Sequence, residues 1–253
     1  MSYVEAEAGG KIWFNPNDER GLALSRSLGN VNPGSTSLFS ATVGSTPWSL
    51  ILDVGANYGE MIVASRFDRN SRIVAFEPNP ALLPYLEKTL RAVEGDIEIR
   101  NTAVGASYRP FSAFLVDKKW SGTSRLLIRF RELITYKSGM ALILVKSTTI
   151  DRQFRNAKLD SVFIKIDVEG GELDVIAGAA RMLRSVRSWS LMVEILHLSP
   201  DAIASLFTLG KVEFFESATG LIVEVPNFDK LSSMIRRPSS EYWTQDVLVS
   251  KPI

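Results

Sequence analysis

Two acidic residues separated by a glycine loop are the residues of this sequence best suited to chemistry. Asp53 lies near the end of an apolar run, and a GxxxG loop follows it from Gly55 to Gly59. Glu77 ends the next apolar run. Glycines allow a backbone to approach a ligand closely, and a carboxylate after the second strand can accept hydrogen bonds from both hydroxyls of a ribose. The pattern indicates a nucleotide-type cofactor site.

The spacing of the loop favours one cofactor over others. The nicotinamide and flavin fingerprint is GxGxxG, in which the middle glycine makes room for a pyrophosphate, but Asn57 occupies that position here. Asp53, two places before the first glycine, suits a ligand with a positively charged amino-acid portion. S-adenosylmethionine has that portion and also a ribose for Glu77. The alternative is an ordinary βαβ turn, which also uses glycines. The predicted contacts in these two segments are Asp53, Gly55, Ala56, Asn57, Gly59, Glu77 and Pro78.

Composition sets limits on the class of protein. The chain has 253 residues, 45% of them hydrophobic, which is enough for one α/β domain spanning residues 1–253. A formal net charge of +1 provides no general attraction to nucleic acid, so nucleic acid is not expected as a partner. The absence of cysteine excludes thiol nucleophiles, disulfides and cysteine-ligated zinc. Neither a membrane span nor a signal peptide is predicted, and we expect a cytoplasmic protein.

Apolar runs alternate with helical periods, which predicts a parallel sheet with helices on both faces. The predicted strands and helices of this core are strands at 50–54, 72–77, 97–101, 161–167, 190–196, 211–216, 221–225 and 246–250, and helices at 58–68, 80–91, 172–183 and 200–209. Two segments stand outside the alternation: an extension at residues 1–48 and an insertion at 106–150.

The extension and the insertion are expected to determine substrate specificity. In the extension, a helix is predicted at 18–28 and a turn at 32–34. In the insertion, strands are predicted at 111–116 and 142–146. The basic and apolar stretch at 125–134 is interpreted either as a surface helix or as a lid over the substrate. The polar stretch at 118–124 suits a mobile binding loop or an ordinary turn.

A second group of charged residues lies in two apolar strands. Central parallel strands are covered on both faces, so charges on them must be paired. We expect Lys165 to pair with Glu194 while Asp167 faces the crevice above the carboxyl edge of the sheet. For Glu169 and Glu172, a functional role and a stabilising role at a helix N-terminus are equally compatible with the sequence.

Three motifs make the sequence resemble a class I S-adenosylmethionine-dependent methyltransferase of the FkbM family. They are ILDVGANYG at 51–59, VAFEPN at 74–79, and IKIDVEGGE at 164–172 followed by VEILH at 193–197. The third motif is the most specific of them. The resemblance implies a Rossmann-like, doubly wound sheet of seven strands in the order 3-2-1-4-5-7-6, with strand 7 antiparallel. It also implies that Asn101 and Ala103 lie near the adenine of the cofactor.

The resemblance further implies O-methylation of a hydroxyl on a glycan or secondary metabolite, with S-adenosylhomocysteine as product. In-line attack on the sulfonium methyl group requires that the acceptor oxygen is held in position and that its proton is removed. His197, the only histidine, is the candidate base, Asp167 is the rival base or orienting group, and Glu194 completes the predicted catalytic set. Asp167 is also a predicted cofactor contact.

A metal-assisted reaction is a possibility that the sequence does not favour. Asp167, Glu169, Glu194 and His197 are suitable ligands for Mg²⁺, but carboxylates that pair with Lys165 or cap a helix are not free to bind it. No metal ligand is therefore assigned. Two other functions stay open: a noncatalytic module that binds S-adenosylmethionine, and a dinucleotide-dependent oxidoreductase, which the missing middle glycine disfavours. The sequence does not indicate an oligomeric state.

Overall fold

The structure is a computed structural model that describes residues 1–127, 139–216, 219–234 and 246–251. Its strands are β1 (Ser2–Glu5), β2 (Lys11–Phe14), β3 (Leu50–Val54), β4 (Arg72–Phe76), β5 (Asp96–Arg100), β6 (Ala103–Val104), β7 (Arg109–Asp117), β8 (Arg125–Leu126), β9 (Met140–Thr148), β10 (Ser161–Ile166), β11 (Ser188–Glu194), β12 (Lys211–Glu216), β13 (Leu221–Val225) and β14 (Asp246–Ser250). Its helices are α1 (Glu19–Arg26), α2 (Pro33–Ser45), α3 (Glu60–Val63), α4 (Leu83–Leu90), α5 (Ile150–Gln153), α6 (Glu172–Ala177), α7 (Ala180–Ser185), α8 (Pro200–Leu206) and α9 (Phe228–Met234), with a 3₁₀ turn at Ser121–Thr123.

The main sheet has eight strands in the order β5-β4-β3-β10-β11-β14-β12-β13. The first five of these strands are parallel, and β14 is antiparallel to both of its neighbours. The expected count of seven was too low by one, because β13 folds back on β12 and extends the edge of the sheet. The predicted α/β class with a large parallel sheet is confirmed.

Helices cover both faces of this sheet, as the alternation of elements predicted. On β3, Leu50 and Leu52 point to a core shared with α6 and α7, whereas Ile51 points to a core shared with α2, α3 and α4. Every residue of β3 and β10 is buried. Burial on both faces explains why these strands are nearly continuous apolar runs and why the few charges in them stand out.

Two helices near the amino end differ from the prediction. Residues 32–34 begin α2 instead of forming an isolated turn, because the Asn32 side chain accepts a hydrogen bond from the Ser35 amide and Pro33 fits the first helical position. The helix expected at 58–68 is shortened to α3. There the Ser65 hydroxyl donates to the Met61 carbonyl, and the Ser65 amide bonds to Ile62 in a tighter turn.

The helix expected at 172–183 is divided into α6 and α7. The break follows Gly178, where the chain passes so close to the insertion that a Cβ atom would lie 2.2 Å from the Gly105 carbonyl oxygen. A glycine is therefore required for α6 to pack against the start of the insertion.

The insertion forms a second sheet in the order β6-β9-β7-β8. The strands predicted at 111–116 and 142–146 are confirmed within β7 and β9. Of the stretch at 125–134, residues 125 and 126 form β8, and the part from residue 128 onward lies outside the described residues. Among the helices that the structure describes, none is long and apolar enough to cross a membrane.

Candidate active site

A cavity of about 1050 Å³ opens at the carboxyl ends of the central parallel strands. Ligand sites in open α/β sheets occur at this edge. Three parts of the chain line the cavity. The lining residues on which the chemistry depends are Arg20 and Ser35 from the extension, Trp120 and Ser121 from the insertion, and Gly55, Asn57, Glu77, Asp167, Glu169, Glu194, His197 and Asp246 from the sheet edge.

The glycine loop after β3 packs directly against the end of β10. Gly55 has φ +86°, and a Cβ atom there would lie 1.9 Å from the Asp167 carbonyl oxygen. The Gly55 and Ala56 amides both donate to the Phe76 carbonyl at 3.0 Å. The loop is thus fixed between β4 and β10, and only glycine fits at its first position.

Glu77 offers a buried carboxylate to the cavity. Its two oxygens accept the backbone N–H groups of Asn57 at 2.9 Å and Asn79 at 2.7 Å, and the residue is 5% exposed. Burial raises the pKa of Glu77 to about 7, although the two N–H donors oppose the rise. The Asn101 amide donates to the backbone carbonyls of Glu77 and Pro78 at 2.8 and 3.1 Å. These contacts fix the carboxylate and leave acceptor capacity on each oxygen.

The predicted cofactor residues divide into two groups. Those that line the cavity are Gly55, Asn57, Glu77, Pro78, Ala103 and Asp167. Ala56, Gly59, Asn101 and Asp53 are not among the described residues of its wall. Asp53 is 1% exposed and lies behind the loop. The prediction that it contacts the cofactor directly therefore placed it closer to the ligand than the structure does.

The expected ion pair between Lys165 and Glu194 was wrong. The Lys165 ammonium lies 3.2 Å from Asp53 and 3.4 Å from Asp167, and it donates to the Gly55 carbonyl at 3.0 Å. Burial by itself would lower the pKa of Lys165, but the two carboxylates raise it. Lys165 therefore stays charged and ties the glycine loop to β10. In the register of the sheet, Asp53 is its direct neighbour on β3.

His197 and Glu169 meet at the end of the cavity that lies beside β10 and β11, which β3 separates from β4 and Glu77. His197 Nε2 lies 2.8 Å from Glu169 Oε2, and the two side chains are 46% and 13% exposed. Burial, followed by repulsion from Asp167, raises the pKa of Glu169 to about 8. Glu169 also adopts a left-handed conformation with φ +61°, which is strained for a residue with a side chain. Strain of this kind is concentrated at functional sites.

Glu172 shapes the turn that presents Glu169. It is fully buried, and its Oε1 accepts the N–H groups of Val168 at 3.2 Å and Gly170 at 2.9 Å. The sequence left a functional and a stabilising role open for Glu169 and Glu172, and these contacts give Glu172 the stabilising role. Glu169 faces the cavity instead.

Glu194 and Asp246 form a buried acidic pair beside His197. They are opposite each other in the register of β11 and β14, with exposures of 8% and 6%. Burial and the carboxylate of Asp167 raise the pKa of Glu194 to about 10, and burial raises the pKa of Asp246 to about 6. The Ser35 hydroxyl from the extension donates to Asp246. No hydrogen-bond partner of Glu194 Oε2 is found among the described residues.

The extension and the insertion are tied together over the glycine loop. Asp18 accepts the Tyr58 hydroxyl at 2.6 Å and the Ser121 amide at 3.0 Å. The Asn57 amide donates to the Ser121 hydroxyl at 3.2 Å. The segment at 118–124, interpreted as a mobile loop or a turn, is therefore a hydrogen-bonded turn in the cavity wall.

The cavity residues that sequence reasoning missed include Arg20, Ser35 and Asp246. Arg20 forms an ion pair with Glu60 across the mouth of the glycine loop. An acidic residue opening the apolar run at 246–250 was a signal available for Asp246. The sequence around Arg20 and Ser35 resembles any helix surface, and no pattern would have selected them.

Comparison with known proteins agrees with this geometry. Residues 53–224 match the family model described as the methyltransferase FkbM domain. The match covers more than half of the chain, and we conclude that the chain belongs to the FkbM family of S-adenosylmethionine-dependent methyltransferases. A search of curated proteins found no significant match.

Several solved structures are similar at low identity. The precorrin-6Y C5,15-methyltransferase from Geobacter metallireducens has 14% identity, with 86% of this chain and 87% of that chain covered and a TM-score of 0.42. An S-adenosylmethionine-dependent O-methyltransferase from Thermotoga maritima has 10% identity, coverage of 86% and 64%, and a TM-score of 0.41. An rRNA methylase from Streptococcus thermophilus has 11% identity, coverage of 85% and 92%, and a TM-score of 0.39.

Proposed function

We propose that this protein transfers the methyl group of S-adenosylmethionine to a hydroxyl of a glycan or other natural product. One observation carries the proposal: a single cavity is lined by Glu77 and Asn57, which follow β4 and β3, and by Asp167, Glu194 and His197 at the ends of β10 and β11. We call these two groups of residues the first and the second wall. The first wall suits the donor. The second wall suits a hydroxyl that must lose a proton.

The residues of the first wall fit the donor. The Glu77 carboxylate is held by two backbone N–H groups and turned to the cavity, which suits the two ribose hydroxyls. Asp53 acts from behind the wall by fixing Lys165, which in turn holds the Gly55 carbonyl. When bound, S-adenosylmethionine supplies a methyl group already activated on a sulfonium.

The second wall supports transfer to oxygen. The acceptor oxygen forms a bond to the methyl carbon as the carbon–sulfur bond breaks, and the hydroxyl proton leaves. Two side chains in this wall can accept that proton, His197 and Asp167. Because the donor is already activated, holding the oxygen close and in line supplies much of the rate enhancement.

The rest of the cavity suits a polar acceptor with some apolar surface. Trp120, Phe111 and Phe114 contribute aromatic surface, and Ser121 and Thr123 contribute hydroxyls. Small-molecule pockets combine apolar and aromatic surface with a few polar groups, and this mixture suits a sugar attached to an apolar group. These residues come from the insertion, which we propose as the part that selects the acceptor.

The noncatalytic alternative is less well supported. A module that only binds the cofactor has no need for an open space beyond it, whereas this cavity extends from Glu77 to His197. A dinucleotide-dependent oxidoreductase is not consistent with membership of the methyltransferase family.

A labelled-donor assay tests the proposal. The protein would be incubated with methyl-labelled S-adenosylmethionine and a panel of saccharides and glycosylated natural products. We expect label in a methyl ether, and we expect Asp167→Asn to lose the transfer while Glu87→Gln, a control on the exposed face of α4, retains it. Label on nitrogen would contradict the O-methyl assignment. Binding of S-adenosylhomocysteine without transfer to any acceptor would support the noncatalytic module.

A further inference from the structure

We propose that Glu169, Glu194 and His197 form a binding site for a divalent transition-metal ion. A ring nitrogen of His197 and one carboxylate oxygen of each glutamate lie within 4.8 Å of one another. Ligands of one metal ion are spaced by about 3 to 4 Å, since each binds at about 2.1 Å. The distance from His197 Nε2 to Glu169 Oε2 is 2.8 Å, so these two atoms need to separate by only a few tenths of an ångström to become adjacent ligands of one ion.

Glu194 gives independent support for a ligand at this place. It is 8% exposed, it lines the cavity, and its Oε2 has no hydrogen-bond partner among the residues that the structure describes. A buried carboxylate oxygen without a partner is costly, because the group has lost its water and gained nothing in return. A cation bound in the cavity would supply the missing partner.

The surrounding charges also favour a cation. Asp167 and Asp246 add to the negative potential around Glu194. Lys165 is engaged by Asp53 and Asp167, and Arg20, which with Arg125 acts on Glu169, is paired with Glu60. The sequence had disfavoured a metal because carboxylates that pair with Lys165 or cap a helix are not free to bind it, and Glu194 was the expected partner of Lys165. That pairing was wrong, and Glu194 is free to act as a ligand.

The donor set indicates which ions are suitable. Two carboxylates and one imidazole suit Mn²⁺, Fe²⁺, Co²⁺ or Zn²⁺ better than Mg²⁺, which prefers oxygen ligands only. An ion here would lower the pKa of a hydroxyl that coordinates to it. The proposed site therefore gives the second wall of the cavity a means of activating the acceptor, and in that state His197 is a ligand and not a base. This role rests on the proposed methyl transfer, whereas binding of the ion does not.

A titration with Mn²⁺ followed by electron paramagnetic resonance tests the site without any methyl acceptor. Protein treated with chelator and then freed of it is expected to bind one Mn²⁺ per chain. We expect His197→Ala and Glu194→Gln each to weaken binding at least about tenfold. Asp174→Asn, which removes a carboxylate from the same cavity but outside the cluster, should leave the affinity close to that of the parent.

Two results would overturn the site: no saturable binding of Mn²⁺ below about 1 mM, or binding that survives both ligand substitutions. Calorimetry with S-adenosylhomocysteine on the same samples shows whether each variant is folded. It also separates the two proposals, because a parent protein that binds S-adenosylhomocysteine but no Mn²⁺ contradicts the metal site alone.

Discussion

The two ends of the cavity handle buried carboxylates in opposite ways. At the end around Glu77, which we propose binds the methyl donor and call the donor end, the Glu77 carboxylate accepts hydrogen bonds from two backbone N–H groups and has no ion-paired countercharge in the described part of the chain. At the end around Glu169, Glu194 and His197, which we propose binds the methyl acceptor and call the acceptor end, the two glutamates repel their acidic neighbours. One oxygen of Glu194 has no hydrogen-bond partner among the described residues. The Glu77 carboxylate is held in place before a ligand arrives, whereas the carboxylates of the acceptor end await a proton, a cation or a substrate.

This difference predicts that substitutions can impair catalysis at one end without weakening cofactor binding at the other. Among the substitutions that separate the two ends, the largest effect is expected for His197→Ala, which should lower kcat by about 10² to 10⁴, the usual contribution of a group that assists proton removal. Affinity for S-adenosylhomocysteine should stay at the parent value, since His197 is in the far wall. Steady-state kinetics and calorimetry on one preparation check both. A variant that keeps most of its kcat would remove His197 from the mechanism.

The donor end is expected to be sensitive to its backbone. Gly55→Ala should lower the free energy of unfolding by about 3 kcal/mol, because a methyl group there collides with the Asp167 carbonyl and the backbone is left-handed. Gly9→Ala is the matched control. Gly9 has a similar φ of +90° and nothing within 4 Å of the added atom, so it should lose only about 1 kcal/mol.

Urea unfolding of the two glycine variants provides the measurement. Equal losses in Gly55→Ala and Gly9→Ala would show that the approach of the loop to β10 adds nothing to stability. That result would contradict the view of the donor end as a site fixed in advance.

The titration of Glu77 gives a smaller effect. With a pKa of about 7, Glu77 is mostly protonated at pH 6 and mostly ionised at pH 8. The ionised form is the acceptor for ribose hydroxyls, so affinity for S-adenosylhomocysteine should rise about tenfold from pH 6 to pH 8. Glu77→Gln should bind more weakly and show a flatter profile. A parent profile that falls over this range would mean that the protonated form binds.

The location of the glycine loop and Glu77 at the cavity could be predicted from the sequence because its determinants are local. The glycine loop and Glu77 lie within 25 residues of each other, and each follows directly from a strand that the hydrophobic pattern identifies. Gly55 and Glu77 were placed in the cavity wall by motif alone. Asp53 was predicted to contact the ligand but lies behind the cavity wall. A motif does not show whether the side chain of a strand residue faces the cavity or the interior.

The acceptor end was predicted only in part because its parts come from distant segments. Asp167, Glu194 and His197 line the cavity as expected, and their catalytic roles stay predictions. The pairing of Lys165 was misjudged because Asp53, its neighbour in the register of β3 and β10, was not considered as its partner. Ser35 and Asp246 are 211 positions apart and meet only in the fold. The break after Gly178 and the second sheet likewise depend on packing between remote segments.

Calorimetry with S-adenosylhomocysteine on the parent and on Glu77→Ala tests the central claim most directly. The account predicts that Glu77→Ala, with an unchanged circular dichroism spectrum, binds at least about tenfold more weakly, corresponding to about 1.4 kcal/mol or more. Glu98→Ala, which removes a half-exposed carboxylate from the next strand, should bind as the parent does. Equal affinity in the parent and in Glu77→Ala would contradict the assignment of the donor site.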